Sequence, residues 1–199
     1  VGGIQRLFSG SGLSYSTGVS ADGQIIVGYG GTSTLSAYKW TEQGGAMSLG
    51  DLPGGAALSL ATAISDDGFV VVGAGTSARG TEAFRWTAEQ GMVSLGYLDG
   101  GGDEESYAYG VSGDGSVVVG ASRGAGTDFA AFRWTEFGGI EPLGQGYDSA
   151  YGVSGDGMTI VGDGNYGTGA EAYIWRSGVG SALLADVLSV EYGLDLSGW

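Results

Sequence analysis

The stretch GVSGDGSVVVG at residues 110–120 returns almost letter for letter as GVSGDGMTIVG at residues 152–162. Looser copies stand at residues 18–28 (GVSADGQIIVG) and 63–73 (AISDDGFVVVG). Each copy contains one Asp-Gly pair, and the pairs of successive copies are 42 to 47 residues apart. A repeat of this length indicates an array of identical supersecondary units rather than four separate functional motifs.

Each unit predicts four short strands. The Asp-Gly pair predicts a type I′ hairpin turn between the first strand and the second, and the serine two residues earlier is expected to hydrogen-bond backbone in that turn. The Val-rich run is apolar throughout, as in a strand that is buried on both faces. The third strand, as in AFRWT, places an aromatic residue and a tryptophan two apart on one face. The turn serines are Ser20, Ser65, Ser112 and Ser154, and the aspartates are Asp22, Asp67, Asp114 and Asp156.

Four antiparallel strands per unit predict an all-β fold, a β-propeller of four-stranded blades. One blade cannot bury both of its faces alone, so neighbouring blades must stack. The tryptophans at the same repeat position are large enough to fill the space between blades. They are Trp40, Trp86, Trp134 and Trp175. A β-helix is the alternative, but its shorter rungs need no hairpin in each unit.

The repeats predict a single domain over residues 1–199. The units cover approximately 9–50, 51–98, 99–144 and 145–188, and residues 1–8 are an orphan strand of a preceding or a closing blade. We expect four blades closed into a ring by that strand, with a piece of a larger propeller as the alternative. A short helix is predicted over residues 182–192, with Ser181 as N-cap and Gly193 after its end.

Composition excludes several functions. Seven Lys and Arg against 22 Asp and Glu give a net charge of −15, which repels nucleic acids and anionic membrane surfaces. The chain has no Cys and no His, so disulfides, thiolate metal sites and Ser-His-Asp or Cys-His catalysis are excluded. No apolar run reaches about 18 residues, so we expect no direct membrane insertion of this chain as a helix.

The ordered motifs AxGVSxDGxxVVG, AFRWT and GMxSLG, with the tail LLADVLSVEYGLDLSGW, resemble the HAF-repeat family of bacterial extracellular proteins. The resemblance implies a secreted protein or one on the outer cell surface of a bacterium, often the passenger part of an autotransporter. Other domains of a longer parent protein would then be its partners, in keeping with a chain that starts at Val1. The family offers no catalytic residue to assign. The SxDG turn has a weaker likeness to TolB-like propellers.

Up-and-down strands place the connections on two rims. The Asp-Gly turns and short links such as TEQGG lie on one rim, which we call the Asp-Gly rim. The longer, divergent connections lie on the other, the long-loop rim. These are residues 29–36, 51–61, 74–82, 97–107, 121–129, 145–149 and 163–171. Variation confined to one rim predicts the binding face of a repeat protein.

The long-loop rim is rich in tyrosine and carboxylates, which suits a neutral glycan or a basic surface protein as partner. Its tyrosines are Tyr29, Tyr97, Tyr107, Tyr147 and Tyr166. Its acids are Asp51, Glu82, Asp99, Asp103, Glu104, Glu105, Asp128, Asp148, Asp163 and Glu171, with Arg79 and Arg123 as its cations. The alternative is that these residues only keep glycine-rich loops soluble, and that the propeller is a scaffold.

We expect that the chain is not an enzyme and holds no cofactor, although two chemical roles are open to the acids. The run Asp99, Asp103, Glu104 and Glu105 offers oxygen ligands to a structural cation such as Ca²⁺, although its spacing is not that of an EF-hand. A glycoside-processing enzyme would pair Asp103 or Glu105 with Asp148 or Asp163. The turn aspartates recur in every unit, so they are interpreted as turn chemistry.

A cation precedes the tryptophan in three units, as Lys39, Arg85 and Arg133, and Ile174 replaces it in the fourth. We expect these cations to pair with nearby acids or to cover apolar surface with their stems. The net charge of −15 disfavours the alternative, a site for an anionic ligand.

Overall fold

The computed structural model describes residues 12–98, 105–123, 128–165 and 169–197, and within them four antiparallel sheets of four strands. The first two sheets contain β1 (Leu13–Val19), β2 (Ile25–Gly31), β3 (Ser36–Thr41), β4 (Gly45–Ser48), β5 (Gly54–Ile64), β6 (Val71–Ser77), β7 (Gly80–Thr87) and β8 (Gly91–Gly96). The last two contain β9 (Glu105–Val111), β10 (Val117–Arg123), β11 (Phe129–Thr135), β12 (Gly139–Pro142), β13 (Ser149–Val153), β14 (Thr159–Asn165), β15 (Ala170–Arg176) and β16 (Gly180–Leu183). A helix, α1 (Leu184–Val190), follows.

The four sheets are propeller blades, which confirms the predicted all-β fold class. Consecutive strands pair in chain order within each sheet, so blade 1 is β1 to β4 and blade 4 is β13 to β16. The first strands β1, β5, β9 and β13 pack side by side, which places them innermost. Blade 4 contains a fourth strand from its own repeat. The orphan strand predicted over residues 1–8 lies outside the described residues, so closure of the ring by it stays a prediction.

Several connections on the long-loop rim are shorter than predicted. Strands β6 and β7 pair as far as Ser77 with Gly80, so most of the expected loop 74–82 is a hairpin. Strand β5 likewise begins at Gly54, inside the expected loop 51–61. These extensions consist largely of Gly, Ala, Ser and Thr, which pair through backbone without needing a core to pack against. Apolar periodicity therefore gave no sign of them.

The Asp-Gly turns are not of type I′. The glycines have φ between 71° and 76°, but no described residue other than glycine has positive φ. In the third blade, Gly115 donates to the Ser112 carbonyl at 3.0 Å, as in a type I turn followed by a left-handed glycine. The Asp114 carboxylate accepts from Ser112 Oγ at 2.7 Å and from the Ser116 backbone N–H at 3.0 Å. Ser112 Oγ accepts from Val117 N–H at 2.9 Å, which confirms the predicted role of the serine.

Asp114 tests the contribution of this turn. Hydrogen bonds, first from the Ser116 backbone and then from the Ser112 hydroxyl, lower the pKa of Asp114 to about 2 from 3.8. A carboxylate with a lowered pKa stabilises the fold above its unfolded value and loses that effect as the pH falls towards 2. We expect Asp114→Asn to lower the melting temperature at pH 7, with the difference from wild type vanishing between pH 4 and pH 2. Glu89→Gln, at an exposed turn of the same rim, is the control, and an equal effect there would contradict the interpretation.

The glycine that ends each Val-rich run makes room for the aromatic residue of the third strand. Gly73 pairs with Phe84 across β6 and β7, and a Cβ at Gly73 would stand 1.9 Å from the Leu60 carbonyl oxygen and 2.9 Å from the Phe84 ring. The same pairing joins Gly120 with Phe132. The ring thus lies across the strand that lacks a side chain, and the motifs VVVG and AFRWT recur together because of this contact.

Packing between blades uses the two faces of the Val-rich strand. We call the face towards the preceding blade the leading face, and the face towards the next blade the trailing face. Val71 lies on the leading face of blade 2 and packs with Val27 of blade 1. Val72 lies on the trailing face and packs with Val118 of blade 3. Both are fully buried, and Trp86 fills the space between blades 1 and 2, as predicted.

Within the described residues, the cations before the tryptophans form no ion pair with an acid, contrary to the first expectation. Lys39 Nζ donates to the Gly68 carbonyl of the next blade at 3.1 Å and lies 5.7 Å from the ring centre of Trp86. Arg85 Nε donates to the Gly115 carbonyl at 3.4 Å and lies over Trp134 at 5.9 Å. Lys39 and Arg85 therefore each tie their blade to the Asp-Gly turn and the indole of the blade that follows.

The array has two ends within the described residues. Blade 1 packs closely only on blade 2, and blade 4 only on blade 3. Val27, Val72 and Val119 occupy one repeat position and are fully buried by the next blade. Val161 occupies that position in blade 4, and its side chain is 42% exposed.

This difference gives a matched pair of variants. Val119→Ala removes packing between blades 3 and 4, and we expect it to cost about 2 kcal/mol of unfolding free energy. Val161→Ala makes the same change on the open trailing face, where surface substitutions usually stay within about 0.5 kcal/mol. Urea unfolding measures both, and equal losses would show that blade 4 is covered in solution.

The C-terminal helix is shorter than predicted. Ser181 pairs with Trp175 inside β16, so it is not the N-cap. The helix begins after Leu183, which makes no side-chain cap. The predicted helix starts too early because residues 180–183 form β16, the fourth strand of blade 4. The helix packs against β15 and β16, and Arg176 forms an ion pair with Glu191 at 3.2 Å.

Candidate functional site

A cavity of about 810 Å³ opens where blades 3 and 4 meet on the long-loop rim, and we call it the Tyr–Asp cavity. Its lining combines aromatic rings, carboxylates and side-chain amides. The lining residues are Asp128, Phe129, Ala130, Pro142, Gly144, Gln145, Gly146, Tyr147, Asp148, Ser149, Tyr151, Asp163 and Asn165.

Aromatic rings form a continuous row beside the cavity. Strand β9 places Tyr107 and Tyr109 on the same face, with ring centres 6.4 Å apart. Tyr107 contacts Phe129 at 5.9 Å, and Tyr109 contacts Tyr151 of blade 4 at 5.6 Å. The Tyr151 side chain is 53% exposed, so the row presents an accessible ring at the cavity.

Three aspartates supply the negative charge of the site. Asp128 directly precedes β11, Asp148 directly precedes β13 and Asp163 lies in β14. The Asp148 backbone N–H donates to the Asp163 carbonyl at 2.9 Å, which holds the two residues beside each other. Partial burial, followed by the charges of Asp163 and Asp128, raises the pKa of Asp148 above its ordinary value. The cavity therefore disfavours further negative charge.

The carboxylates do not form a metal centre in the described ranges. No group of three or more acidic side chains there is arranged to hold a metal ion. Of the acidic run weighed as a cation site, Asp99, Asp103 and Glu104 lie outside the described residues. Glu105 lies 3.9 Å from Arg123 Nη2 in an ion pair.

The other residues predicted for the long-loop rim fall into separate places. Tyr29 contacts Tyr15 at 5.0 Å in blade 1. Tyr97 is buried in blade 2, with Arg79 over its ring at 4.7 Å. Burial, then the charge of Glu82, raises the pKa of Tyr97. Tyr29 and Tyr97 therefore contact other side chains of the protein. Tyr166 lies outside the described residues.

Two further predicted acids have partners within the protein. Glu82 is 5% exposed, accepts hydrogen bonds from Ser77 and Ser94, and lies near Arg79. Asp51 accepts from Ser59 Oγ at 2.9 Å.

The carboxylates nominated for glycoside chemistry are brought together only in part. Asp148 and Asp163, which were nominated as alternatives for one member of the pair, line the same cavity. Glu105 does not line it, since its carboxylate pairs with Arg123. Asp103 lies outside the described residues, so the pairs nominated with Asp103 stay predictions.

Sequence reasoning missed Tyr109 and Tyr151 because they belong to the repeated motif. Their repeat position holds Thr17 in blade 1 and Thr62 in blade 2. Thr17 Oγ1 donates to the Ala61 carbonyl of the next blade at 2.8 Å, so threonine is the structural choice there. The change from Thr to Tyr in the last two units was the signal that marked the site.

No protein-family model matches the chain, and no curated protein matches it either. Its fold is similar to that of TolB from Acinetobacter baumannii, with a TM-score of 0.63 and 16% identity over 89% of this chain and 45% of TolB. A putative TolB from Agrobacterium tumefaciens gives a TM-score of 0.59 and 16% identity, over 89% of this chain and 63% of that one. Oligogalacturonate lyase from Vibrio parahaemolyticus gives a TM-score of 0.58 and 13% identity, over 89% of this chain and 54% of the lyase.

The chain is a module of β-propeller blades. At these identities the likeness shows the fold alone. The chain spans 45% to 63% of the length of these solved structures. In the part of the chain that the structure describes, no helix is long and apolar enough to cross a membrane.

Asp148 tests the electrostatics of the Tyr–Asp cavity. A carboxyl whose folded pKa is raised destabilises the fold once it is charged, and this cost is absent below its unfolded pKa of about 3.8. We therefore expect Asp148→Asn to melt at a higher temperature than wild type at pH 7, with the difference disappearing near pH 3. Glu42→Gln, at an exposed turn of blade 1, should show no such pH-dependent gain. A lower melting temperature for Asp148→Asn than for wild type at pH 7 would contradict this electrostatic interpretation.

Proposed function

We propose that this chain is a non-catalytic recognition module of a secreted or cell-surface bacterial protein, and that its Tyr–Asp cavity binds a neutral saccharide. The observation that carries the proposal is the aromatic row that ends in the exposed ring of Tyr151, which lines one cavity with three carboxylates. The secreted location is supported by the resemblance of the repeats to bacterial extracellular proteins. Other domains of a longer parent protein are the proposed partners of the module.

The two kinds of lining residue match the two kinds of surface on a sugar ring. The apolar C–H face of a pyranose packs on an aromatic ring, here that of Tyr151. Sugar hydroxyls donate hydrogen bonds to carboxylates, and such charge-assisted bonds are stronger than neutral ones. Gln145 and Asn165 add amide donors and acceptors.

The charge of the cavity selects against acidic ligands at this site. Partial burial, and then the charges of Asp163 and Asp128 beside it, already raise the pKa of Asp148. An anionic sugar would add to this repulsion, and the chain as a whole carries a charge of −15. A ligand rich in hydroxyls and without negative charge avoids that cost.

A glycan array followed by titration calorimetry tests the proposal. We expect wild type to bind neutral oligosaccharides, and both Tyr151→Ala and Asp163→Asn to weaken the binding at least tenfold, which corresponds to about 1.4 kcal/mol. Tyr29→Ala is the matched control, because Tyr29 lies on the same rim in blade 1, away from the cavity. Binding that survives both cavity variants, or that Tyr29→Ala reduces equally, would overturn the assignment.

Glycoside processing is the second candidate, and one observation favours it. The raised pKa of Asp148, beside Asp163, is the kind of environment from which a general acid acts. Turnover of aryl glycosides that Asp148→Asn abolishes would establish an enzyme. Multimers of the chain without any glycan binding would instead establish a scaffold.

A further inference from the structure

The Tyr–Asp cavity holds three carboxylates, and no Lys or Arg lines it within the part of the chain that the structure describes. The segments 124–127 and 166–168, which adjoin lining residues in the chain, contain no Lys or Arg either. Arg123 lies over the ring of Phe129 at 4.8 Å, but its Nη2 is paired with Glu105 at 3.9 Å. The negative charge of the cavity is therefore not balanced by its own lining.

The three carboxylates act on one another. The backbone bond from Asp148 N–H to the Asp163 carbonyl keeps these two residues side by side. Partial burial, and then the charges of Asp163 and Asp128, raise the pKa of Asp148. A positively charged ligand relieves this repulsion and is attracted by each carboxylate, so the electrostatics of the cavity favour a cation.

The aromatic row lies within the electrostatic reach of these carboxylates. Partial burial, then Tyr151 and Tyr107, and then the charge of Asp163 raise the pKa of Tyr109. Tyr151, whose ring centre is 5.6 Å from that of Tyr109, is 53% exposed and lines the cavity. A cation within about 6 Å of a tyrosine ring centre is attracted to the ring face. Rings and carboxylates thus favour the same kind of charge.

An ammonium group suits this arrangement better than a metal ion. Ca²⁺ needs several oxygen ligands at about 2.3–2.6 Å, and the described residues contain no group of three or more acidic side chains placed to hold a metal. An ammonium group offers three N–H donors and forms charge-assisted hydrogen bonds of about 2.7–2.9 Å. It needs no closed shell of ligands around it.

The rest of the lining favours an ammonium group that is carried on a sugar ring. The volume of about 810 Å³ is much larger than a bare amine needs. Gln145, Ser149 and Asn165 line it with amide and hydroxyl groups, which bind sugar hydroxyls. The apolar stem of a lysine side chain has no group to satisfy them.

We propose that the Tyr–Asp cavity prefers a saccharide with a protonated primary amine, that is, an amino sugar without an N-acetyl group. The ammonium group lies among Asp128, Asp148 and Asp163, and the sugar ring packs on Tyr151. This inference rests on the proposed function, because ring and hydroxyls are bound as argued there, and it adds a selectivity for positive charge.

The β-1,4-linked disaccharide of glucosamine is the probe, and its di-N-acetylated form is the uncharged counterpart with the same rings and linkage. Titration calorimetry at pH 6, where the sugar amines are protonated, measures both affinities. We expect wild type to bind the amino disaccharide more tightly by on the order of tenfold. Added NaCl should reduce this ratio, because salt screens charges.

A pair of variants locates the selectivity. Asp148→Asn removes one charge and keeps a hydrogen-bonding side chain, and we expect it to lower the ratio by about threefold, the effect of one partly exposed charge pair. Glu42→Gln makes the same change of charge at an exposed turn of blade 1 and should keep the wild-type ratio. The ratio is taken within each variant, so a general loss of saccharide affinity does not affect it.

The outcomes separate this inference from the proposed function. Equal affinity for the two disaccharides would overturn the inference and leave saccharide binding in place, whereas no binding of either would overturn both. An unchanged ratio in Asp148→Asn, or an equal fall in Glu42→Gln, would show that the cavity carboxylates do not select the amine. Ethylammonium that binds as tightly would show that no ring is recognised. Nα-acetyl-lysine amide that binds more tightly would assign the cavity to a basic peptide.

Discussion

Every blade depends on a neighbour at each of its faces. The Val-rich strand is apolar on both sides, because Val71 packs towards one blade while Val72 packs towards the next. A four-stranded sheet with two apolar faces is not stable alone in water. The contact of Phe84 with the bare backbone of Gly73 settles the internal geometry of the sheet. The hydrophobic contact between blades then determines how the blades stack on one another.

Polar contacts set the relative positions of the blades that apolar packing brings together. Ala21 N–H donates to the Asp66 carbonyl at 3.0 Å, and Gly113 N–H donates to Gly155 at 3.0 Å, so successive Asp-Gly turns are joined through backbone. Lys39 and Arg85 reach the same turns from the third strand. Packing between apolar faces is non-directional, whereas these bonds require one alignment. The repeated motif therefore encodes both the stacking and its register.

The sequence was sufficient for the regular part of the fold, because that part is written four times. The strand order, the serine in the turn and the indoles between blades follow from Ser112, Trp86 and their copies. The type of turn did not follow, since the choice between a positive and a negative φ at Asp114 rests on its hydrogen bonds. The start of β16 at Gly180 was also hidden, because its residues fit either a strand or a helix.

The candidate sites were harder to predict, because they depend on contacts between repeats rather than on patterns within one. The sequence did place Asp148, Asp163 and Tyr147 on the correct rim. It missed Tyr109 and Tyr151, because only their contact across blades 3 and 4 distinguishes them from motif residues. It also grouped Arg133 with Lys39 and Arg85, whose partners it could not see.

Four copies of one unit act as an internal set of controls on what the fold needs. Thr62 bonds to the next blade through Oγ1, so a blade is stable with threonine there, and the tyrosine at position 109 is not required by stacking. Arg85 satisfies its donor on Gly115, so the lack of such a bond at Arg133 is not imposed by the repeat position. Tyr109 lies beside the Tyr–Asp cavity, in contact with Tyr151 of its lining. In a fold held together by repetition, binding chemistry is free to develop at positions where a copy has been released from its structural contact.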